Sequence, residues 1–87
     1  MSYSYSEERK WVFTEEGQVQ FLSIRDRANY LIKEAGAATM EKMIAGESGS
    51  GWEMMACVDR LVELGELVEV TDERVPGQYR IFRKAYS

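Results

Sequence analysis

Between Ser50 and Arg83 the spacing of apolar residues changes from a helical period to alternation, and that change limits what the chain can fold into. Met54, Cys57, Val58, Leu61, Val62 and Leu64 recur on one face of a 3.6-residue helix. Ser50-Gly51-Trp52-Glu53 has the spacing of a capping box, in which a serine hydroxyl and a glutamate three residues on satisfy the first backbone amides. Gly65 ends the helix. Two β-prone runs follow, Leu67 to Thr71 and Gln78 to Arg83, around a polar segment closing in Pro76-Gly77. Val68 alternates with Val70 and Tyr79 with Ile81, which predicts an antiparallel hairpin with one buried face.

Upstream, Phe21, Ile24, Ala28, Leu31, Ile32 and Ala35 form one stripe of a predicted helix from Glu15 to Ala35. Thr14 is its N-cap, Glu15 and Glu16 suit the dipole of its first turn, and Gly36 closes it. Val19, Leu22 and Tyr30 lie off that stripe as a second apolar patch, which needs a cover: the Trp11-Val12-Phe13 run or a second subunit. A short helix, Thr39 to Ala45, directs Met40, Met43 and Ile44 inward, and Gly46 to Gly51 is a loose turn. Trp11-Val12-Phe13 reads as a short N-terminal arm or strand leaning on the domain. Residues 1–10 read as a flexible tail, 11–84 as one domain and 85–87 as a C-terminal tail.

Helix, short helix, turn, longer helix and hairpin, together with Val58-Asp59-Arg60-Leu61-Val62-Glu63-Leu64-Gly65-Glu66-Leu67-Val68-Glu69-Val70, resemble the winged helix-turn-helix superfamily over roughly residues 17–84. The resemblance implies an α+β, mainly α fold, with three helices followed by a two-stranded antiparallel wing. It implies that the third helix faces the major groove and that the wing, about Asp72 to Gln78, lies on phosphate or minor groove. The expected function is DNA binding, as in a small transcriptional regulator. The superfamily also holds members that bind only proteins, so a protein-interaction role stands beside it.

Charge sets the two roles against each other. The chain has 87 residues and a formal net charge of -4. The outward side of the third helix carries Trp52, Ala56, Asp59 and Glu63, flanked by Glu53, Met55 and Arg60. Acids there repel phosphate, whereas the positive balance lies after Val70. Candidate nucleic-acid contacts are therefore Arg60, Arg74, Gln78 and Arg80. The candidate protein-binding set is Trp52, Met55, Asp59 and Glu63, although a tryptophan at that position is better explained by packing beneath the turn or against Trp11 and Phe13. Trp11, Val19, Leu22 and Tyr30 form a candidate homodimer patch.

Catalytic readings find little to rest on. The chain has no histidine and one cysteine, Cys57, on the apolar face of its helix. The acid pairs Glu7-Glu8, Glu15-Glu16 and Asp72-Glu73 are explained by solvation or by a helix dipole. Gly46 to Gly51 lacks the lysine of a phosphate loop. The chain is expected to be non-enzymatic, to need no cofactor or metal, to avoid membranes and to lie in the cytoplasm. Its polar, aromatic start lacks the pattern of a signal peptide.

Overall fold

A computed structural model describes residues 2–85. The fold is mainly helical, with a small antiparallel sheet. Its order is α1 (Tyr5–Val12), α2 (Glu15–Ala35), β1 (Ala37–Thr39), α3 (Met40–Ile44), α4 (Gly51–Glu63), β2 (Leu67–Glu69), a single 3-10 turn (Gly77–Tyr79) and β3 (Ile81–Lys84). No helix among the described residues is long and apolar enough to cross a membrane.

The long helix forms where its caps place it. The Thr14 hydroxyl accepts from the Gly17 amide at 2.9 Å, and Gly36 ends α2 with φ of 84°. That left-handed conformation is costly for any residue with a Cβ. Phe21, Ile24, Ala28 and Ile32 point into the core, as their spacing predicts. The start of α4 differs from expectation: Ser50 is the N-cap, but its hydroxyl makes no capping bond. The end is well closed. The amides of Gly65 and Glu66 return to the carbonyls of Val62 and Leu61, and Gly65 takes φ of 78°. These are the two bonds of a Schellman motif.

The sheet has three strands, not the two of a simple hairpin. Its order is β1-β3-β2, with β3 central and antiparallel to both neighbours. The added strand, β1, lies between α2 and α3, where a backbone of small residues fits against Phe82. The buried face also differs from the alternation read in the sequence. Leu67 and Phe82 are buried, whereas Val68, Val70 and Tyr79 are exposed. The reason is register: Glu69 pairs with Phe82, and Leu67 with Lys84, so these residues share the face turned to the helices. Val68 and Val70 are thereby turned outward.

The expected N-terminal tail and strand are a helix. Residues 5–12 form α1, which packs chiefly against α4 and also against α2. Ser4 stands at its N-cap, Glu7 and Glu8 in its first turn, and Arg9 and Lys10 in its last. This distribution complements the helix dipole. Val12 is wholly buried within a core that includes Ile24, Met40, Met43, Val58, Leu61 and Phe82. Burying a side chain of this kind contributes about 2 kcal/mol, which explains why so short a helix docks. The C-terminal tail expected at 85–87 falls, apart from Ala85, outside the described residues.

Candidate interaction surface

The side of α4 expected to be free is covered. Ala56, read as outward-facing, has no exposed surface, because α1 lies across it. The acids of that face are bound within the chain. The Tyr3 hydroxyl donates to Asp59 at 2.6 Å, and the Tyr5 hydroxyl donates to Glu63 at 2.7 Å. Arg9 Nε donates to both Glu63 oxygens, at 3.0 and 2.9 Å, and Arg60 Nη1 donates to Glu63 Oε1 at 2.8 Å. The guanidiniums of Arg9 and Arg60 lie 4.8 and 4.9 Å from the ring centre of Phe13, which joins α1 to the end of α4 through cation-π contacts.

These contacts leave their mark on ionisation. Hydrogen bonds from Tyr5, Arg60 and Arg9 hold the Glu63 carboxyl down at about 2. Burial, and then the bond to Glu63, push the Tyr5 hydroxyl up to about 12. Burial and the bond to Asp59 raise Tyr3 further. A carboxylate whose folded value lies below its ordinary 4.5 contributes stability above that value and loses it as pH falls. The docking of α1 is thus expected to weaken as pH drops from about 4.5 towards 2. Amide shifts of Tyr5 to Val12 followed through an acid titration check this, and Glu63→Gln is expected to remove that part of the acid sensitivity.

Two of the three arginines expected on DNA, Arg80 and Arg60, are occupied. Arg80 Nη2 donates to Asp59 at 2.7 Å and to Glu69 at 2.9 Å, while Nε also reaches Glu69 at 3.0 Å. Its side chain is only 15% exposed. Burial alone would lower its pKa, but the bonds to Glu69 and Asp59 outweigh that and raise it. Arg74 is paired with Asp72 at 2.9 Å on an exposed turn, and Arg60 is paired with Glu63. Gln78 is exposed on the 3-10 turn. Arg60, Arg74 and Arg80 therefore do not converge on one open basic face. Unpaired carboxylates outnumber unpaired cations among the described residues.

The protein-binding set is divided in the same way. Asp59 and Glu63 are tied down as above. Trp52 is half-buried at the start of α4, and Met55 is half-buried against Gly77. Trp11 leaves the homodimer set, because it packs on the core and its indole donates to Gln20 at 3.0 Å. The other three members of that set remain open: Val19 is 73% exposed, Leu22 50% and Tyr30 64%. Val68 and Val70 add exposed apolar surface on the outer side of the sheet.

Sequence reasoning missed Tyr3, Tyr5 and Arg9 because residues 1–10 read as a tail. The signal was present in Ser4-Tyr5-Ser6-Glu7, which has capping-box spacing, and in the acids-then-bases order after it. Gly17 was missed altogether. A side chain there would meet the Trp11 carbonyl, and no local pattern reveals such a contact.

Cys57 is buried, and burial, then the nearby Glu47 and Glu53, push its thiol up to about 12. No group of three metal-ligating side chains occurs among the described residues. Compared with known proteins, the chain matches no family model, no curated protein and no solved structure.

Proposed function

We propose that this chain is a non-catalytic protein-interaction domain with a winged-helix-like core, in which the helix that would read DNA serves the inside of the molecule. One observation carries the reading: Arg60 and Arg80 are held by carboxylates of the same chain, Arg74 stands apart from them on an exposed turn, and α1 covers the outward side of α4. A protein that neutralises phosphates must present its cations to them. Here, freeing Arg80 would strand Asp59 and Glu69 in a poorly hydrated site. The surface left uncovered is apolar on α2 and on the outer side of the sheet, and the residual charge is acidic. Such a surface suits a protein partner better than a polyanion. The thiol of Cys57, protonated and enclosed, supports a structural role for that residue.

The test is a low-salt titration with mixed-sequence duplex DNA, followed by amide shifts. No saturable shift is expected at Arg60, Arg74 or Arg80. Shifts there that fade steeply as salt rises would overturn the proposal.

A further inference from the structure

The outer face of α2 carries three large apolar side chains that no other part of the described chain covers. At 100° per residue, Val19, Leu22 and Tyr30 fall within about 80° of one another. They lie opposite Phe21, Ile24, Ala28 and Ile32, which face the core. The same face holds Glu15 near its start, Asp26 near its middle and Lys33 near its end. Glu15 and Lys33 are exposed, and neither makes an ion pair among the described residues.

We infer that this face pairs with the same face of a second copy, the two α2 helices running antiparallel about a twofold axis level with Ile24. The inference rests on reading the domain as protein-binding, and it names the partner. Charge selects the arrangement. A parallel pair would set Glu15 against Glu15 and Lys33 against Lys33. The antiparallel pair sets Glu15 of each copy level with Lys33 of the other, since both lie nine residues from Ile24 and on the same side of the stripe. The two Leu22 side chains then come within about 6 Å of each other along the axis, each level with Asp26 of the other copy, and Val19 lies within one residue of the level of Tyr30 from the second copy. An isologous interface of this kind is the commonest in homo-oligomers.

Two magnitudes set its strength. The 21 residues of α2 span about 31 Å. One helix face of that length buries less than the roughly 800 Å² per partner of a standard interface, so the dimer forms at high concentration and dissociates on dilution. Exposed ion pairs contribute little, so the Glu15 and Lys33 pairs fix orientation more than affinity. One feature opposes the pairing. The two Asp26 carboxylates come level to within about 6 Å along the axis, and they repel.

The experiment is sedimentation equilibrium from low micromolar to near-millimolar concentration, with circular dichroism as the check on folding. A monomer–dimer equilibrium is expected, abolished in Leu22→Asp and tightened several-fold in Asp26→Asn. Glu15→Lys and Lys33→Glu are each expected to weaken it about fivefold, and the double exchange to restore it. Monomer throughout, a dimer indifferent to Leu22→Asp, or a double exchange that fails to restore it would overturn the inference. Those results concern the second copy alone. The protein-binding reading fails separately, on salt-sensitive DNA shifts at the arginines.

Discussion

Gly17→Ala is expected to destabilise the fold by about 3 kcal/mol, near the upper end of what overpacking causes. In a chain of this size the melting temperature then falls by more than about 10 °C. The cause is steric. A Cβ built on Gly17 would stand 1.8 Å from the Trp11 carbonyl oxygen and 2.7 Å from its carbon, both backbone atoms. Neither can swing aside as the tip of a flexible side chain could. The oxygen is also engaged, accepting from the Thr14 amide at 3.1 Å and from the Thr14 hydroxyl at 2.7 Å. Alanine is the better helix former by about 1 kcal/mol, and that gain is too small to offset the separation of α1 from α2. Gly36→Ala is the comparison. Its position meets no atom within 4 Å, and only its φ of 84° is strained, so it should cost about 1 kcal/mol. Thermal melts rank the two. Loss of amide protection in Tyr5 to Val12 of Gly17→Ala locates the damage. A variant as stable as the parent would mean that α1 does not approach α2 at Gly17 as described.

Arg80→Ala is the second large effect, with a loss of about 3 kcal/mol near neutral pH, at the low end for a broken buried ion pair because the cluster keeps partial contact with water. The arginine holds two carboxylates, and the side chains of Asp59 and Glu69 are only 12% and 26% exposed. Without the guanidinium they lose a charged partner where little water can replace it. The sign of the pH dependence follows. In the parent, the bonds from Arg80 hold Glu69 below its ordinary value, so its contribution is present at neutral pH and lost in acid. In the variant, Glu69 has lost that hold, so acid costs it less than it costs the parent. The stability gap between parent and variant should therefore narrow as pH falls to about 4. Urea unfolding at the two pH values measures it. Arg80→Lys keeps the charge but not the planar fork that reaches both carboxylates, and should fall between parent and alanine variant.

The sequence was most legible where one local rule acted alone. The bounds of α2 followed from Thr14, Gly36 and the stripe between them, and the end of α4 followed from Gly65. It was least legible where the outcome depended on distant partners. Tyr3, Tyr5 and Arg9 look like an ordinary polar tail until Asp59 and Glu63, more than fifty residues away, are seen to receive them. Alternation in 67–71 was visible, yet it could not tell which side would be buried. Leu67 and Val68 are both apolar, and only the register against Phe82 decides between them. The conflict between an acidic third helix and a DNA-reading role was also visible in the residues. Its physical reason was not: those acids face arginines and tyrosines of their own chain.

The central position of β3 also sets an order of folding. Both β1 and β2 hydrogen-bond to it and neither bonds to the other, yet both precede it in the chain. Ala37 pairs with Arg83 across more than forty residues. Closing so long a loop before any ladder bond forms is slow compared with making a helix. Glu69 and Phe82, by contrast, are only thirteen residues apart, so β2 and β3 can pair as a local hairpin and β1 is the strand expected to join last. Until it does, the edge of β3 that takes β1 is open to pairing with other chains.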